Sequence, residues 1–411
     1  MKRKQWRKIK RTIGVAAGAC GLTLLMITFF LLLDRDVFSD HSSTSSMYWP
    51  LQLITASMQA LTAAWIFAFA AAVGSFLNVV VWRMPRGETV VSRPSRCPYC
   101  DVNIQFRDNI PVFGWIFLRG RCRACRLPIS ARYPIVEFIA GAMGLILAYP
   151  ELLSDGANLP VATYIRRNYF TWTIVDLDLQ FLAIYAFHGF LLAGLLSSAL
   201  IHFDSQRIPK KMFALGLLVA VLAAAYWPAI HPVLWDTVSP NRISLAQWRI
   251  RFDTTVVGIL LGGAWAGAAS GFILPPRGLR QAEFRWDVTF VGAVTGAFLG
   301  WQATSFSLAL ALLFYAVAPL LCRRRIPLLV CWLVAVYSHL LLWRQIDNDW
   351  LQLHPTALWT PTLIAIGLIS CVVSQRVFSD LEPRDEEPRD EEPRDEEPRD
   401  ERERPIENNE C

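Results

Sequence analysis

Four of the nine cysteines form two Cys-x-x-Cys pairs, Cys97 with Cys100 and Cys122 with Cys125, and 21 residues separate the pairs. Each pair places two thiols on one side of a tight turn, and two such turns complete a tetrahedron, which is the geometry of a structural Zn²⁺ site. Four thiolates leave no open coordination position, so we expect the metal to fold the loop without taking part in catalysis. A redox pair or free thiols are the alternatives that the residues leave open.

The segments around this loop have the composition of membrane-spanning helices. The chain is 54% hydrophobic and 18% charged, whereas soluble proteins are roughly 25% charged. A spanning helix needs about 20 mostly apolar residues, and the sequence contains about ten candidates. They are residues 13–33, 55–82, 133–149, 180–201, 212–227, 254–274, 288–301, 305–321, 326–343 and 357–373. The predicted fold is therefore an all-α polytopic membrane protein with about eight to ten transmembrane helices.

Two details of these segments predict how they pack. The candidates at 288–301 and 305–321 are short and nearly continuous, which favours a tight hairpin or partly re-entrant helices. The run GGAWAGAASG, from Gly262 to Gly271, has small residues at helical spacing, which indicates close helix packing more often than a ligand site.

The distribution of positive charge orients the helices. The N-terminal MKRKQWRKIKR is strongly basic, and ten arginines lie between residues 83 and 132. Cytoplasmic loops carry an excess of Lys and Arg, so we expect both segments, and with them a small zinc-ribbon-like loop domain, to face the cytoplasm. Disulfides rarely persist in that compartment.

The C-terminal tail has a different character. The unit EPRDE occurs four times between residues 382 and 401. A proline in every unit excludes a regular helix or sheet, and the absence of apolar residues excludes a core, so we expect the tail to be disordered.

Three segments together resemble the N-terminal domain of bacterial prepilin peptidases. They are GSFLNVVVWRMPRGE (74–88), RCPYC (96–100) and RDNIPVFGWIFLRGRCRACRLPISARYPIVE (107–137). The resemblance covers more than sixty residues in the same order and spacing. It implies an intramembrane aspartic endopeptidase that removes the leader from precursors of type IV pilins or type II secretion pseudopilins. Many members also methylate the new N-terminus, for which S-adenosylmethionine is the implied cofactor.

The resemblance implies a catalytic pair of aspartates, Asp204 and Asp287. In such a pair one carboxylate accepts a proton from water while the other donates one to the scissile carbonyl. The match is imperfect around both residues. The family's usual spacing before the proline falls on His202, and the glycines of its Gly-x-Gly-Asp motif are Phe284 and Trp286 here.

These departures keep two further interpretations open. His202 replaces the first acid in one, although two positions along a helix differ by about 200° around its axis. In the other, both aspartates are ordinary helix-end residues at a water interface. A catalytically inactive relative that binds pilin-like helices is then the alternative to an enzyme.

The predicted organisation has five parts, with boundaries at residues 1–52, 53–150, 180–321, 322–378 and 379–411. They are the basic segment with the first helix, the four-cysteine domain, the peptidase-like membrane domain, the extra helices and the tail. We expect a multi-pass protein of the bacterial inner membrane with a cytoplasmic N-terminus. Its expected partners are membrane lipid and pilin or pseudopilin precursors, not nucleic acid.

Overall fold

The computed structural model describes residues 49–91, 94–154, 156–160, 179–227, 230–231, 245–273, 279–322 and 326–346. Within these residues the chain is all-helical apart from loops and two isolated bridges. The α-helices are α1 (Trp49–Arg83), α2 (Phe113–Phe117), α3 (Arg132–Ala148), α4 (Leu179–Phe203), α5 (Lys210–Tyr226), α6 (Leu245–Ile273), α7 (Leu279–Cys322) and α8 (Leu328–Ile346).

The polytopic all-α prediction is confirmed. Six segments of the described chain are long and apolar enough to cross a membrane, namely Ala60–Arg86, Arg132–Leu153, Leu179–Phe203, Asp253–Gly271, Phe284–Ala318 and Leu328–Ile346. The candidate at 212–227 forms helix α5, which is 17 residues long. The predicted helices at 13–33 and 357–373 and the repeat tail lie outside the described residues.

Helices α1 and α3 run antiparallel and carry the cysteine loop between them. The Asn78 side-chain amide on α1 donates to the Tyr133 carbonyl on α3 at 3.2 Å. Gly74 lets the helices approach closely, because a Cβ at that position would lie 2.7 Å from the Cβ of Ala140. We call the end of the bundle that carries residues 84–131 the loop end, and the opposite end the far end.

Helix α8 runs parallel to α3, from the loop end to the far end. The Tyr337 hydroxyl donates to the Met143 carbonyl at 3.0 Å. Nearer the far end, α8 contacts the segment that follows α3. The Asn158 side chain donates to the Leu340 carbonyl at 2.6 Å, and the Arg344 amide donates to the Asn158 carbonyl at 2.8 Å. Since α8 starts at the loop end, α7 must also finish there.

Helix α7 therefore reverses direction, and the turn is at Gly300. This residue has φ 80° and ψ 170°, which breaks the helical geometry between two helical halves, and such a backbone conformation is tolerated mainly by glycine. Thr254, near the far end of α6, lies next to it. The two halves agree with the hairpin predicted for residues 288–321.

Helix α6 packs against the first half of α7 through glycines on both sides. Gly258 faces Gly296 and Gly262 faces Gly292, so closely that a Cβ at any of the four would collide with the opposite backbone. In lipid, helices associate through such close van der Waals packing of small residues. The contact bears out the predicted packing role of the Gly262–Gly271 run.

Candidate functional site

The four cysteines of the two pairs come together in the loop. Their sulfur atoms all lie within 4.8 Å of one another, and Cys97 Sγ is 3.8 Å from Cys125 Sγ. A tetrahedral ion with metal–sulfur bonds of about 2.3 Å, as zinc has, requires sulfurs about 3.8 Å apart. The residues present therefore fit a tetrahedral metal ion.

The same hydrogen bonds recur in both cysteine turns, with a constant offset of 25 residues. The Cys97 amide donates to the Val102 carbonyl at 3.0 Å and accepts, through its own carbonyl, from the Asp101 amide at 2.9 Å. In the second turn Cys122 makes the corresponding bonds with Leu127 and Arg126, at 2.9 and 3.0 Å. The two turns are thus copies of one local structure, and each positions a pair of thiols.

The residue after each pair has a left-handed backbone. Asp101 has φ 55° and Arg126 has φ 59°. This conformation turns the chain back so that its amide reaches the carbonyl of the first cysteine. Asp adopts it more readily than residues with long side chains such as Arg.

The thiols of Cys122 and Cys125 have different pKa values. Hydrogen bonds from the backbone amides of Cys125 and Ala124 lower the pKa of Cys122 to about 7. For Cys125 the Leu127 amide favours the thiolate, but burial and hydrogen bonds to the other cysteines raise its pKa to about 11. A negative charge on one sulfur thus disfavours ionisation of its neighbour, whereas a bound cation would stabilise all four thiolates.

One hydrogen bond attaches the loop to helix α3, and another closes the loop on itself. The Val112 amide donates to the Glu137 carboxylate of α3 at 2.7 Å, and the Trp115 indole N–H donates to the Ile129 carbonyl, within the loop, at 3.1 Å. Val112 has φ 63°, an unfavourable value for a β-branched residue. The bond to Glu137 offsets part of that strain and holds the chain against the bundle.

An ion pair ties the segment between the cysteine turns to the second turn. The Arg123 guanidinium donates to both carboxylate oxygens of Asp108, at 2.8 and 2.6 Å. These hydrogen bonds hold the pKa of Asp108 below its usual range. The bidentate geometry fixes the orientation of residues 106–108 relative to the cysteines.

Asp204 lies at the loop end, directly after helix α4. The helix terminates in a Schellman motif, in which Ser205 has φ 57° and the Gln206 amide donates to the Ile201 carbonyl at 3.1 Å. The Asp204 carboxylate accepts from the Arg132 guanidinium at 2.7 Å. Its side chain is 27% exposed, so water reaches it.

Asp287 is at the same end of the bundle but is buried, with 2% of its surface exposed. Its carboxylate accepts a hydrogen bond from the Ile208 amide at 3.2 Å. Ile208 belongs to the turn that begins directly after Asp204 and leads into α5. The turn at residues 205–209 therefore connects the two predicted acids. It follows Asp204 directly in the chain, and its Ile208 amide binds Asp287.

His202 has a different neighbour. Its ring packs edge-on against Phe284, with ring centroids 4.6 Å apart. Trp286, the second aromatic in place of a glycine, is exposed on the outside of the bundle. Of the two aromatic residues that replace the family's glycines, Phe284 thus packs against α4, the helix that precedes Asp204. Trp286 points away from the interior of the bundle and does not obstruct it.

Sequence reasoning assigned no role to several polar residues that the structure places in contacts. Arg132 and Glu137 lie inside the Arg107–Glu137 segment and contact Asp204 and the loop. At the far end, the Glu151 carboxylate lies 2.7 Å from His188 Nδ1, and both residues are fully buried. The sequence signal for this pair is the presence of a glutamate and a histidine inside apolar segments, where ionisable residues are rare and pair with one another.

Comparisons with known proteins agree with the geometry of the loop. Residues 68–150 match the family model described as Bacterial Peptidase A24 N-terminal domain. A prepilin leader peptidase/N-methyltransferase of Klebsiella pneumoniae is 30% identical over 175 residues, which are 41% of this chain and 74% of that protein. No solved structure matches.

Other relatives are matched over a smaller share of their length. A prepilin leader peptidase/N-methyltransferase of Myxococcus xanthus is 41% identical over 103 residues, 25% of this chain and 28% of that protein. A type 4 prepilin-like proteins leader peptide-processing enzyme of Escherichia coli is 34% identical over 146 residues, 31% of this chain and 53% of that protein. The cysteine cluster, the domain match and the coverage of the Klebsiella protein together show that this multi-pass membrane protein belongs to the prepilin peptidase A24 family.

Proposed function

We propose that this chain is an aspartic endopeptidase that removes leader peptides from precursors of type IV pilins or type II secretion pseudopilins. The observation that carries the proposal is the hydrogen bond between Asp287 and the Ile208 amide. It joins a buried acid to the turn that follows a water-accessible acid, Asp204, at one end of the bundle. The names of the matched relatives support the substrate class.

The environments of the two acids support different roles. Asp204 is the more exposed and is proposed as the base that takes a proton from the attacking water. Asp287 is nearly sealed from solvent and is proposed as the acid that protonates the scissile carbonyl. Arg132 keeps the Asp204 carboxylate in place through its 2.7 Å contact.

We propose Zn²⁺ as the ion of the four-cysteine cluster, with a structural role. All four ligands would be Cys97, Cys100, Cys122 and Cys125, which leave no position for substrate or water. The density of arginine in this loop supports a cytoplasmic loop end in a bacterial inner membrane, with the N-terminus on the same side.

A second activity, N-methylation of the cleaved product, comes from the names of relatives described as N-methyltransferases. It would use S-adenosylmethionine as the methyl donor. We assign no residues to that site.

The alternative function is that of an inactive homologue that binds pilin-like helices without cutting them. Two observations favour it. Phe284 fills space beside His202, close to the first acid's helix, and Asp204 is engaged by Arg132.

The test is to co-express the full chain with a panel of type IV prepilin and pseudopilin precursors and to measure loss of the leader by mass. We expect cleavage by the unaltered chain and a loss of at least about 100-fold in Asp204→Asn and in Asp287→Asn. Asp101→Asn is the matched control, because Asp101 is an exposed loop residue whose left-handed backbone suits Asn equally well.

The outcomes separate the two functions. Cleavage that persists in both substituted chains would overturn the site assignment. Precursors that co-purify with the unaltered chain but are never cut would support the binding homologue.

A further inference from the structure

Helix α2 presents an apolar face outside the bundle. Phe117 is 71% exposed, and Phe113 and Ile116 are also exposed, while Gly114 between them is buried. The rings of Phe113 and Phe117 stack with centroids 6.1 Å apart. Large apolar side chains grouped in this way mark a surface that contacts a partner or a membrane.

The hydrogen bond that attaches the loop to α3 sets how deep this apolar face lies along the membrane-spanning helices. The Val112 amide, directly before α2, donates to Glu137 on α3. Glu137 lies level with Gly74 of α1, because a Cβ on Gly74 would be 3.0 Å from the Glu137 Cα. Gly74 precedes Arg83 by nine residues, or about 13 Å of helix. The start of α2 is therefore held beside the membrane-spanning helices, well below the tip of α1.

Exposed aromatic residues mark the membrane boundary at the loop ends of neighbouring spans. Trp82 on α1, Tyr133 on α3 and Trp286 on α7 are all exposed and lie at the loop ends of their helices. Tryptophan and tyrosine collect where the acyl chains of a bilayer meet the headgroups. The start of α2, held at the level of Gly74, thus lies on the lipid side of this boundary.

Positive charge follows directly after the apolar face. Arg119 and Arg121 are exposed. The ion pairs among the described loop residues are formed by other arginines, namely Arg96, Arg123 and Arg132. Arginine side chains near a membrane surface are attracted by anionic headgroups, by about 1 kcal/mol each. The charge of this face therefore complements an anionic leaflet.

From these observations we propose that α2 is a membrane-embedded anchor of the cysteine loop. Phe113, Ile116 and Phe117 insert among the acyl chains, and Arg119 and Arg121 bind the phosphate groups of anionic phospholipids. The loop is then held at three places, by α1, by α3 and by lipid. A protein helix docked on the same face is the alternative occupant that the test distinguishes.

The test places a photo-reactive benzoylphenylalanine at position 117 of the full chain in lipid nanodiscs. Discs of phosphatidylcholine alone are compared with discs that also contain phosphatidylglycerol, and adducts are identified by mass. Two reference positions calibrate the yield, Phe76, which is exposed within the span of α1, and Val91, which is exposed in the loop. Monodisperse elution of each labelled chain verifies that it is folded.

We expect phospholipid adducts at position 117 in a yield close to that at position 76. A yield of lipid adducts no higher than at position 91 would overturn the proposal. The same labelled chain is also irradiated in native membranes, where adducts to protein in place of lipid would likewise overturn it.

The charge contribution is tested by Arg119→Gln combined with Arg121→Gln. In the unaltered chain we expect phosphatidylglycerol adducts at position 117 to be enriched over their share of the lipid, by about fivefold for each arginine. The double substitution should abolish that enrichment, whereas Arg96→Gln should preserve it, since Arg96 is paired with Asp101. Equal labelling of both lipids by the unaltered chain would overturn the phosphate contact.

Discussion

Arg126 occupies a backbone conformation that disfavours its own side chain. It has φ 59°, at the position where the first cysteine turn has Asp101. A non-glycine residue in this region costs about 1–2 kcal/mol. The second cysteine turn is therefore expected to be the less stable of the two copies.

The substitution Arg126→Gly should relieve this strain and slow the loss of metal to a chelator, by about fivefold for about 1 kcal/mol. The measurement is the rate of metal release from the purified chain to a chromogenic chelator. Arg126→Gln controls for the charge and should release metal at the original rate. Ala124→Gly, at a position without positive φ, should release metal faster; equal rates for both glycine variants would contradict the strain argument.

Arg132 is the residue that most directly affects the proposed base, since it contacts Asp204. Arg132→Gln should lower the rate of precursor cleavage roughly 10- to 100-fold, because Asp204 loses the group that orients it. Arg132→Lys should recover part of the rate, and Arg96→Gln, which removes another paired loop arginine, should leave it unchanged. A faster Arg132→Gln chain would instead mean that the ion pair holds Asp204 away from catalysis.

At the scale of elements, the contact between α6 and α7 depends on the absence of side chains. A Cβ on Gly258 would collide with the Gly296 backbone. Gly258→Ala should therefore separate the helices and destabilise the protein by about 1–3 kcal/mol. The measurement is thermal unfolding in detergent.

Gly194→Ala on α4 is the matched control for this prediction. A Cβ at Gly194 has nothing within 4 Å, and alanine favours the helix by roughly 1 kcal/mol relative to glycine. The control should therefore be neutral or stabilising. If both alanine variants unfold at the same temperature, the close packing is not a source of stability.

The cysteine loop has few contacts that could hold it together without a metal ion. Each cysteine turn is closed by its own local hydrogen bonds and one isolated bridge, and these do not join the two turns to each other. Removal of the metal should therefore expose residues 97–126 to proteases while the helical content stays nearly constant. The measurement combines limited proteolysis with circular dichroism, before and after chelation.

Metal content supplies the control. The chain should bind one metal ion, and Cys97→Ser or Cys122→Ser should lose it. Cys331→Ala should retain it, because Cys331 is buried in α8. A chelated loop that resists proteases as well as the metal-bound loop would contradict the structural role.

The helices could be predicted because an apolar run of fixed length is a local property of sequence. The hairpin in α7 was also predictable, since two short runs adjoin at residues 301–305. The parallel course of α3 and α8 was not, because it rests on contacts such as that between Tyr337 and Met143, 194 residues apart.

At the scale of the whole molecule, a buried polar cluster connects three parts of the chain at the far end. Glu151 contacts His188 on α4 at 2.7 Å, and Asn158 donates to both Glu151 at 3.3 Å and the Leu340 carbonyl of α8 at 2.6 Å. All three side chains are buried. The cluster therefore sets how the segment that follows α3 meets α4 and α8.

Glu151→Ala should destabilise the protein by about 1–2 kcal/mol, because it leaves His188 and Asn158 without a shared partner. Glu151→Gln keeps the shape and one acceptor oxygen, so it should cost less. The measurement is thermal unfolding in detergent, with Glu88→Ala, an exposed loop residue, as the control. An alanine variant as stable as the control would show that the cluster contributes nothing.

The four-cysteine cluster could be predicted from the sequence because each pair is contained in one short turn. Whether Asp204 or His202 faces the second acid could not, because that depends on how α4 meets α7. In the structure His202 packs on Phe284, and the turn after Asp204 reaches Asp287. Neither contact has a signature in residue spacing.

The 25-residue offset between the two cysteine turns also has a consequence for synthesis of the chain. Translation proceeds at about 5–20 residues per second, so the second turn leaves the ribosome about 1–5 s after the first. During that interval only two of the four sulfur ligands exist, and the nascent chain cannot complete the metal tetrahedron. Assembly of the site must therefore follow emergence of Cys125, shortly before the first residues of helix α3 leave the ribosome.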